Sequence, residues 1–151
     1  MTILKAEITD SEALTELTKK SKAHWGYPEA QIALWSEQLT ITGSYIMANA
    51  VYKLLIDDAI AGYYSYYNEG EAVVRLDNLF VLPQYISQGY GRLLMDDFLL
   101  RVANTGIRKI ILESEPNAET FYTKFGFIKI GQIITSIEGR YLPLMELTLD
   151  V

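Results

Sequence analysis

Between Leu79 and Arg92 the chain reads Leu-Phe-Val-Leu-Pro-Gln-Tyr-Ile-Ser-Gln-Gly-Tyr-Gly-Arg, with no acidic side chain anywhere in it. A β-rich run stops at Pro83, and a Gly-x-Gly opens an amphipathic run. At such a helix start the first N–H groups have no helical acceptor, and the helix dipole adds roughly half a positive charge. Glycine lets a ligand approach the backbone, and Arg92 adds a formal charge at the same end. The chemistry this suits is the binding of a phosphate-sized anion. A tight turn with close helix packing would use the same glycines. Two better-known phosphate loops do not fit: no Gly-Lys-Ser/Thr follows, and the third glycine of a dinucleotide fingerprint would fall at Leu94.

The rest of the chain must position that loop. Its 151 residues suit one domain, 1–151, and 50% hydrophobic content can cover a core. With 13 Lys and Arg against 19 Asp and Glu, the net charge of −6 argues against nucleic-acid and anionic-membrane partners. There is no cysteine and a single histidine, His24, which excludes thiolate chemistry, disulfides and histidine-rich metal sites. No signal-like or membrane-spanning run is present, so a cytoplasmic protein is expected.

Periodicity predicts a strand over 3–8 and a helix opened by a Thr9-x-x-Glu12 capping box, carrying Leu14 and Leu17 on one face. A second helix follows Pro28, with Ile32, Trp35 and Leu39 on its apolar side. Residues 51–56 and 59–67 form a hairpin about Asp57-Asp58, and 71–82 is a third strand after Asn68-Glu69-Gly70. The longest helix spans 89–105, closed by Gly106. Strand 108–114 should lie parallel to 71–82. A short helix over 117–125 and a closing hairpin, 127–137 with 144–149 about Glu138-Gly139, complete the chain, with Pro143 at the start of the last strand. The order β-α-α-β-β-β-α-β-α-β-β is an α/β (α+β) mixed sheet with helices.

The chain resembles the GNAT superfamily of acyl-CoA-dependent N-acetyltransferases. Val81-Leu82-Pro83 matches the family's Val-x-Pro strand end, and residues 86–91 match its (Arg/Gln)-x-x-Gly-x-(Gly/Ala) loop, with Ile86 in place of the first polar residue. A second element also matches: Pro116-Asn117-Ala118, Phe121-Tyr122 and Gly126-Phe127. Gly139-Arg140-x-Leu142-Pro143 is similar to one branch of the superfamily. The order of elements is that of the GNAT-like fold, whose parallel central strands splay apart.

The resemblance implies acetyl-CoA (coenzyme A) as cofactor. Main-chain groups of Leu79, Phe80 and Val81 would pair with its pantetheine arm, and Gln88, Gly89, Tyr90, Gly91 and Arg92 would take its pyrophosphate. Asn117 would hydrogen-bond the arm, or else cap its helix. Tyr122 would give a proton to the departing thiolate, or else merely pack. Asp77 is the candidate base, or else strand alternation turns it toward solvent; Glu113, Glu115 and a water relay are its rivals. His24, Trp25 and Tyr27 would border the acceptor, or else form a packed turn. Of Tyr63, Tyr64, Tyr66 and Tyr67, one pair belongs to the core and the other can face the acceptor. The implied function is acetyl transfer to a primary amine of a small molecule or peptide by direct attack in a ternary complex. A non-catalytic acyl-CoA-binding or sensing module, and an enzyme using a longer acyl-CoA, are the alternatives. A homodimer is compatible with either.

Overall fold

The computed structural model describes residues 1–135, 137 and 139–149. In chain order the elements are β1 (Thr2–Lys5), α1 (Ser11–His24), α2 (Glu29–Leu34), α3 (Ser36–Leu39), α4 (Gly43–Ala48), β2 (Ala50–Ile56), β3 (Ala59–Gly70), β4 (Val73–Val81), α5 (Tyr90–Val102), β5 (Lys109–Glu113), α6 (Glu119–Thr123), β6 (Ile128–Ile134) and β7 (Tyr141–Thr148). The seven strands are hydrogen-bonded in the order β1-β2-β3-β4-β5-β7-β6, a mixed sheet with helices as expected. Two compact units are distinguished, Met1–Tyr66 with Asn78–Arg101, and Tyr67–Asp77 with Val102–Val151.

In the first unit, β1 and β3 both pair antiparallel with β2. The β2–β3 turn falls on Asp57 and Asp58 as expected. Their φ values of 50° and 63° are those a tight two-residue hairpin demands, and aspartate tolerates them better than most side chains. Tyr63 and Tyr64, adjacent on β3, point to opposite sides of the strand and are both fully buried. Tyr63 packs with Leu14 and Leu17 of α1, Ile41, Ile46 of α4 and Val51. Tyr64 lies against Phe98 of α5, centroids 5.6 Å apart. Each buried hydroxyl has a partner: Thr18 Oγ1 at 2.6 Å for Tyr63, and Asp97 Oδ2 at 2.6 Å for Tyr64.

Three local expectations are corrected here. The Thr9–Glu12 box does not open α1. Glu7 and Asp10 make the reciprocal cap around a single 3-10 turn, Ile8–Asp10, and α1 begins at Ser11. Asp10 also binds Lys53 of β2 at 2.8 Å, which fixes it at that position. The helix after Pro28 is divided into α2 and α3 at Trp35, although the bonds Trp35 to Gln31 (3.1 Å) and Leu39 to Trp35 (2.9 Å) keep the helical spacing. Helix α4 was not expected; Thr42 caps it by accepting from the Tyr45 amide at 3.0 Å.

In the second unit β4 pairs parallel with β5 from Val73↔Lys109 to Arg75↔Ile111. Strand β5 pairs antiparallel with β7, and β7 with β6. Val74, Leu76, Ile110, Leu112, Phe127 and Met145 are buried within it. The turn before β4 falls on Glu71-Ala72 rather than 68–70. Ala72 takes φ 59°, and its carbonyl accepts from the Arg108 and Lys109 amides at 2.8 and 3.2 Å. Pro143 is the third residue of β7, not its start, and β7 is flanked on both sides. It is tolerated because its carbonyl, accepting from Ser114 N at 2.8 Å, shows which edge its nitrogen faces. On that edge the pairing with β5 has already ended at Glu113↔Leu144. The expected closing turn falls partly on Ser136 and Glu138, which lie outside the described residues.

Candidate functional site

Strand β4 ends at Val81, and the Leu82 amide ties the following segment to Ala61 O at 2.8 Å. Pro83–Tyr85 makes one 3-10 turn, residues 86–89 turn again, and α5 starts at Tyr90. The helical expectation of 89–105 thus shortens at both ends. Ser87 and Gly89 take φ of 65° and 90°. The Leu93 amide bonds Gly89 O at 3.1 Å, so the amides of Tyr90, Gly91 and Arg92 precede the first such bond. A Cβ on Gly89 would meet nothing within 4 Å. The glycine is therefore needed for its backbone conformation, and the space over it is open to a ligand. No acidic residue lies in the first turn of α5, and Arg92 is exposed there. The Gln88 side chain turns back to donate to Gln84 O at 2.7 Å, so its contribution to an anion would come from its main chain. These features fit a phosphate group held by main-chain donors.

Before this turn, Leu79 and Phe80 are half-buried and Val81 is buried. The Phe80 ring lies 6.0 Å from that of Tyr63. Lys22 Nζ sits 5.8 Å from the Phe80 centroid and 5.9 Å from that of Trp35. Tyr27 meets Trp35 edge-on at 5.0 Å. His24, the last residue of α1, meets the exposed Trp25 edge-on at 5.2 Å. The expected wall of His24, Trp25 and Tyr27 is thus two pairs. Tyr27 belongs with Trp35, Lys22 and Phe80, while His24 and Trp25 form an exposed pair at the helix end. Sequence reasoning missed Lys22 and Trp35 as members of this group. It also missed a polar cluster beside it: Asn78 Nδ2 donates to Ser65 Oγ at 2.9 Å and to the Tyr45 hydroxyl at 3.4 Å, and those two oxygens are 2.9 Å apart. The signal for Ser65 was present, since it shares the strand face of Tyr63.

In the second unit, Asp77 is exposed on β4. Its charge adds to the burial that pushes the Tyr67 phenol upward. Arg75 holds Glu69 at 2.9 Å and Glu113 at 3.1 Å. Arg140 holds Glu115 at 2.9 Å, and Glu115 also accepts from Asn117 Nδ2 at 3.0 Å. Both rivals of Asp77 are therefore engaged by arginines. Asn117 lies in a 3-10 turn, Pro116–Ala118, and α6 spans only Glu119–Thr123, shorter than the expected 117–125. Tyr122 is buried, its ring edge-on to Phe121 at 5.2 Å and Phe127 at 5.9 Å. Its hydroxyl has no hydrogen-bond partner among the described residues. Burial pushes the phenol well above its usual range, which keeps it protonated.

Among the described residues no group of His, Cys, Asp and Glu could hold a metal ion, and no helix is long and apolar enough to cross a membrane.

A model of the acetyltransferase (GNAT) domain matches residues 13–149. A search of curated proteins finds no match. Among solved structures, the paia N-acetyltransferase from Thermoplasma acidophilum, in complex with coenzyme A, superposes with a TM-score of 0.75 at 18% identity, covering 98% of each chain. The ribosomal-protein-S18-alanine N-acetyltransferase from Escherichia coli gives 0.76 at 19% identity, over 99% of this chain and 94% of that one. yncA from Salmonella typhimurium, described as an acetyltransferase with its cofactor acetyl-CoA, gives 0.72 at 21% identity, over 100% of this chain and 95% of that one. With 13–149 matched and this fold, the chain belongs to the GNAT family of acetyltransferases.

Proposed function

We propose that the chain transfers the acetyl group of acetyl-CoA to an amine of a small molecule or peptide by direct attack within a ternary complex. The observation that carries this reading is the entry into α5, where Gly89 takes φ 90°, the amides of residues 90–92 precede the first helical bond and no acidic side chain lies in the first turn, features that suit an anion. Solved relatives with this fold contain coenzyme A or acetyl-CoA.

When bound, acetyl-CoA supplies an electrophilic thioester carbonyl and a thiolate leaving group. The main chain of Leu79, Phe80 and Val81 aligns the pantetheine arm and polarises the carbonyl through an amide N–H. Gln88, Gly89, Tyr90 and Gly91 hold the pyrophosphate through main-chain N–H groups, with Arg92 adding charge. Asn117 hydrogen-bonds the arm. Tyr122 donates its hydroxyl proton to the departing sulfur. Asp77, exposed to water on β4, takes the proton from the attacking amine through a water. Tyr27, with Trp35 and Phe80, lines the acceptor side, and His24 and Trp25 border it.

Calorimetric titration of acetyl-CoA, followed by thiol release across a panel of amino acids, polyamines, aminoglycosides and peptides, tests this reading. Saturable binding with thiol release on at least one amine is expected. Absence of binding contradicts the proposal, and binding without release on any amine favours a sensing module.

A further inference from the structure

The segment Gly139-Arg140-x-Leu142-Pro143 has no role in the reaction just described, yet it is tied to the segment that carries Asn117. Arg140 Nη2 donates to Glu115 Oε2 at 2.9 Å, with the two side chains only 12% and 10% exposed. The other oxygen of the same carboxylate, Oε1, accepts from Asn117 Nδ2 at 3.0 Å. Two residues beyond Arg140's neighbour Tyr141, the Pro143 carbonyl accepts from Ser114 N at 2.8 Å, so the two loops are joined at two points. The Glu115 carbonyl in turn accepts from Ala118 N at 2.8 Å and from Ser114 Oγ at 2.7 Å, which fixes the turn holding Asn117.

An amide has one accepting end and one donating end, and an ionised carboxylate only accepts. Glu115 therefore dictates which way the Asn117 amide faces: nitrogen toward Glu115, oxygen outward. Asn117 itself is exposed. Glu115 can do this only while it is ionised and held still, and Arg140 supplies the countercharge that makes an otherwise costly buried carboxylate tenable.

We propose that Arg140 is a positioning residue that acts through Glu115 to present Asn117 Oδ1 as an acceptor for an amide N–H of the pantetheine arm. This rests on the reading of Asn117 as a cofactor contact. Arg140 has no part in the reaction proposed above. Its role is to set the polarity of a hydrogen bond one residue removed.

The test is a double-mutant cycle on coenzyme A affinity, read by calorimetry of the full chain, with thermal unfolding recorded for every variant. Arg140→Gln and Asn117→Ala should each weaken coenzyme A about five- to tenfold, the size of one hydrogen bond. The double variant should be no weaker than Asn117→Ala alone, because the two act in series. Arg140→Lys keeps a point charge and should recover part of the loss. Glu115→Gln is nearly isosteric and lets the Asn117 amide turn over; it should match Arg140→Gln in affinity, and it serves as the test if Arg140→Gln does not fold. Multiplicative losses in the double variant, unchanged affinity in Asn117→Ala, or unchanged affinity in either Arg140→Gln or Glu115→Gln would each overturn the inference. Failure of the unmodified protein to bind coenzyme A would instead remove the acetyltransferase reading on which it stands.

Discussion

The entry into α5 and the β5–α6 connection assign opposite kinds of work to the chain. At residues 86–92 the contacts on offer are main-chain amides: the Gln88 side chain is turned away to Gln84, and Gly89 contributes only a conformation. At residues 114–122 the contacts are side chains held by other side chains, Arg140 on Glu115 and Glu115 on Asn117, with the Tyr122 ring packed edge-on to Phe121 and Phe127. A backbone site tolerates side-chain change but not a change of dihedral preference. A side-chain site tolerates neither loss of the group nor loss of its support.

The sharpest way to break this contrast is at Gly89. Gly89→Val places a β-branched residue at φ 90°, which costs the fold about 1–2 kcal/mol and distorts the amides beside it. Saturable acetyl-CoA binding should disappear in calorimetry while the variant still unfolds cooperatively. Next in size is Tyr122→Phe, which should lower kcat about 100-fold with KM for acetyl-CoA unchanged in steady-state kinetics. An unchanged kcat would reassign Tyr122 to packing.

A smaller effect, on stability alone, is expected at Tyr64. Its hydroxyl donates to Asp97 at 2.6 Å and accepts from Arg101 Nε at 2.9 Å, and Arg101 stacks over the Tyr52 ring at 3.7 Å. Tyr64→Phe should cost about 2 kcal/mol in denaturant unfolding and leave kcat unaltered. Tyr64 and Tyr122 also share a pH signature. Burial, with Asp97 adding to it at Tyr64, raises both phenols above their ordinary value. A phenol that binds its proton more tightly when folded stabilises the fold fully below about pH 10 and loses that contribution as pH rises further. Thermal unfolding followed through that alkaline range should show a shallower decline in either phenylalanine variant than in the unmodified chain. The smallest effect is predicted for Gln88→Ala, with acetyl-CoA affinity within about twofold of the original, because its side chain is turned back to Gln84 O.

The same division explains what could be read from the sequence. The turn into α5 was legible because its requirement is local: Pro83, Gly89 and Gly91 announce a backbone shape within nine residues. The Asp57-Asp58 hairpin and the buried stripe of α5 were legible for the same reason. Short elements set by distant contacts were not. α4 is six residues long and is stabilised by Ile46 packing into the core under β3, which no local periodicity reveals. The cap of α1 shifted from Thr9 to Asp10, which an ion pair to Lys53 holds 43 residues away. The β3–β4 turn moved to Ala72, whose positive φ is supported by amides from Arg108 and Lys109. The Asn78–Ser65–Tyr45 cluster joins three elements, so its members carry no mutual signal in the sequence. Asp77 stood out as an acid on a central strand, while its neighbour Asn78 is the one engaged with Ser65 and Tyr45.

The proposed function requires that main-chain amides at the start of α5 hold the donor. Backbone amide NMR of the unmodified protein during titration with acetyl-CoA tests it most directly. The amide resonances of Gly89, Tyr90, Gly91 and Arg92 should shift in a saturable manner and their hydrogen exchange should slow. Saturable shifts elsewhere, with these four amides unmoved and unprotected, would contradict it.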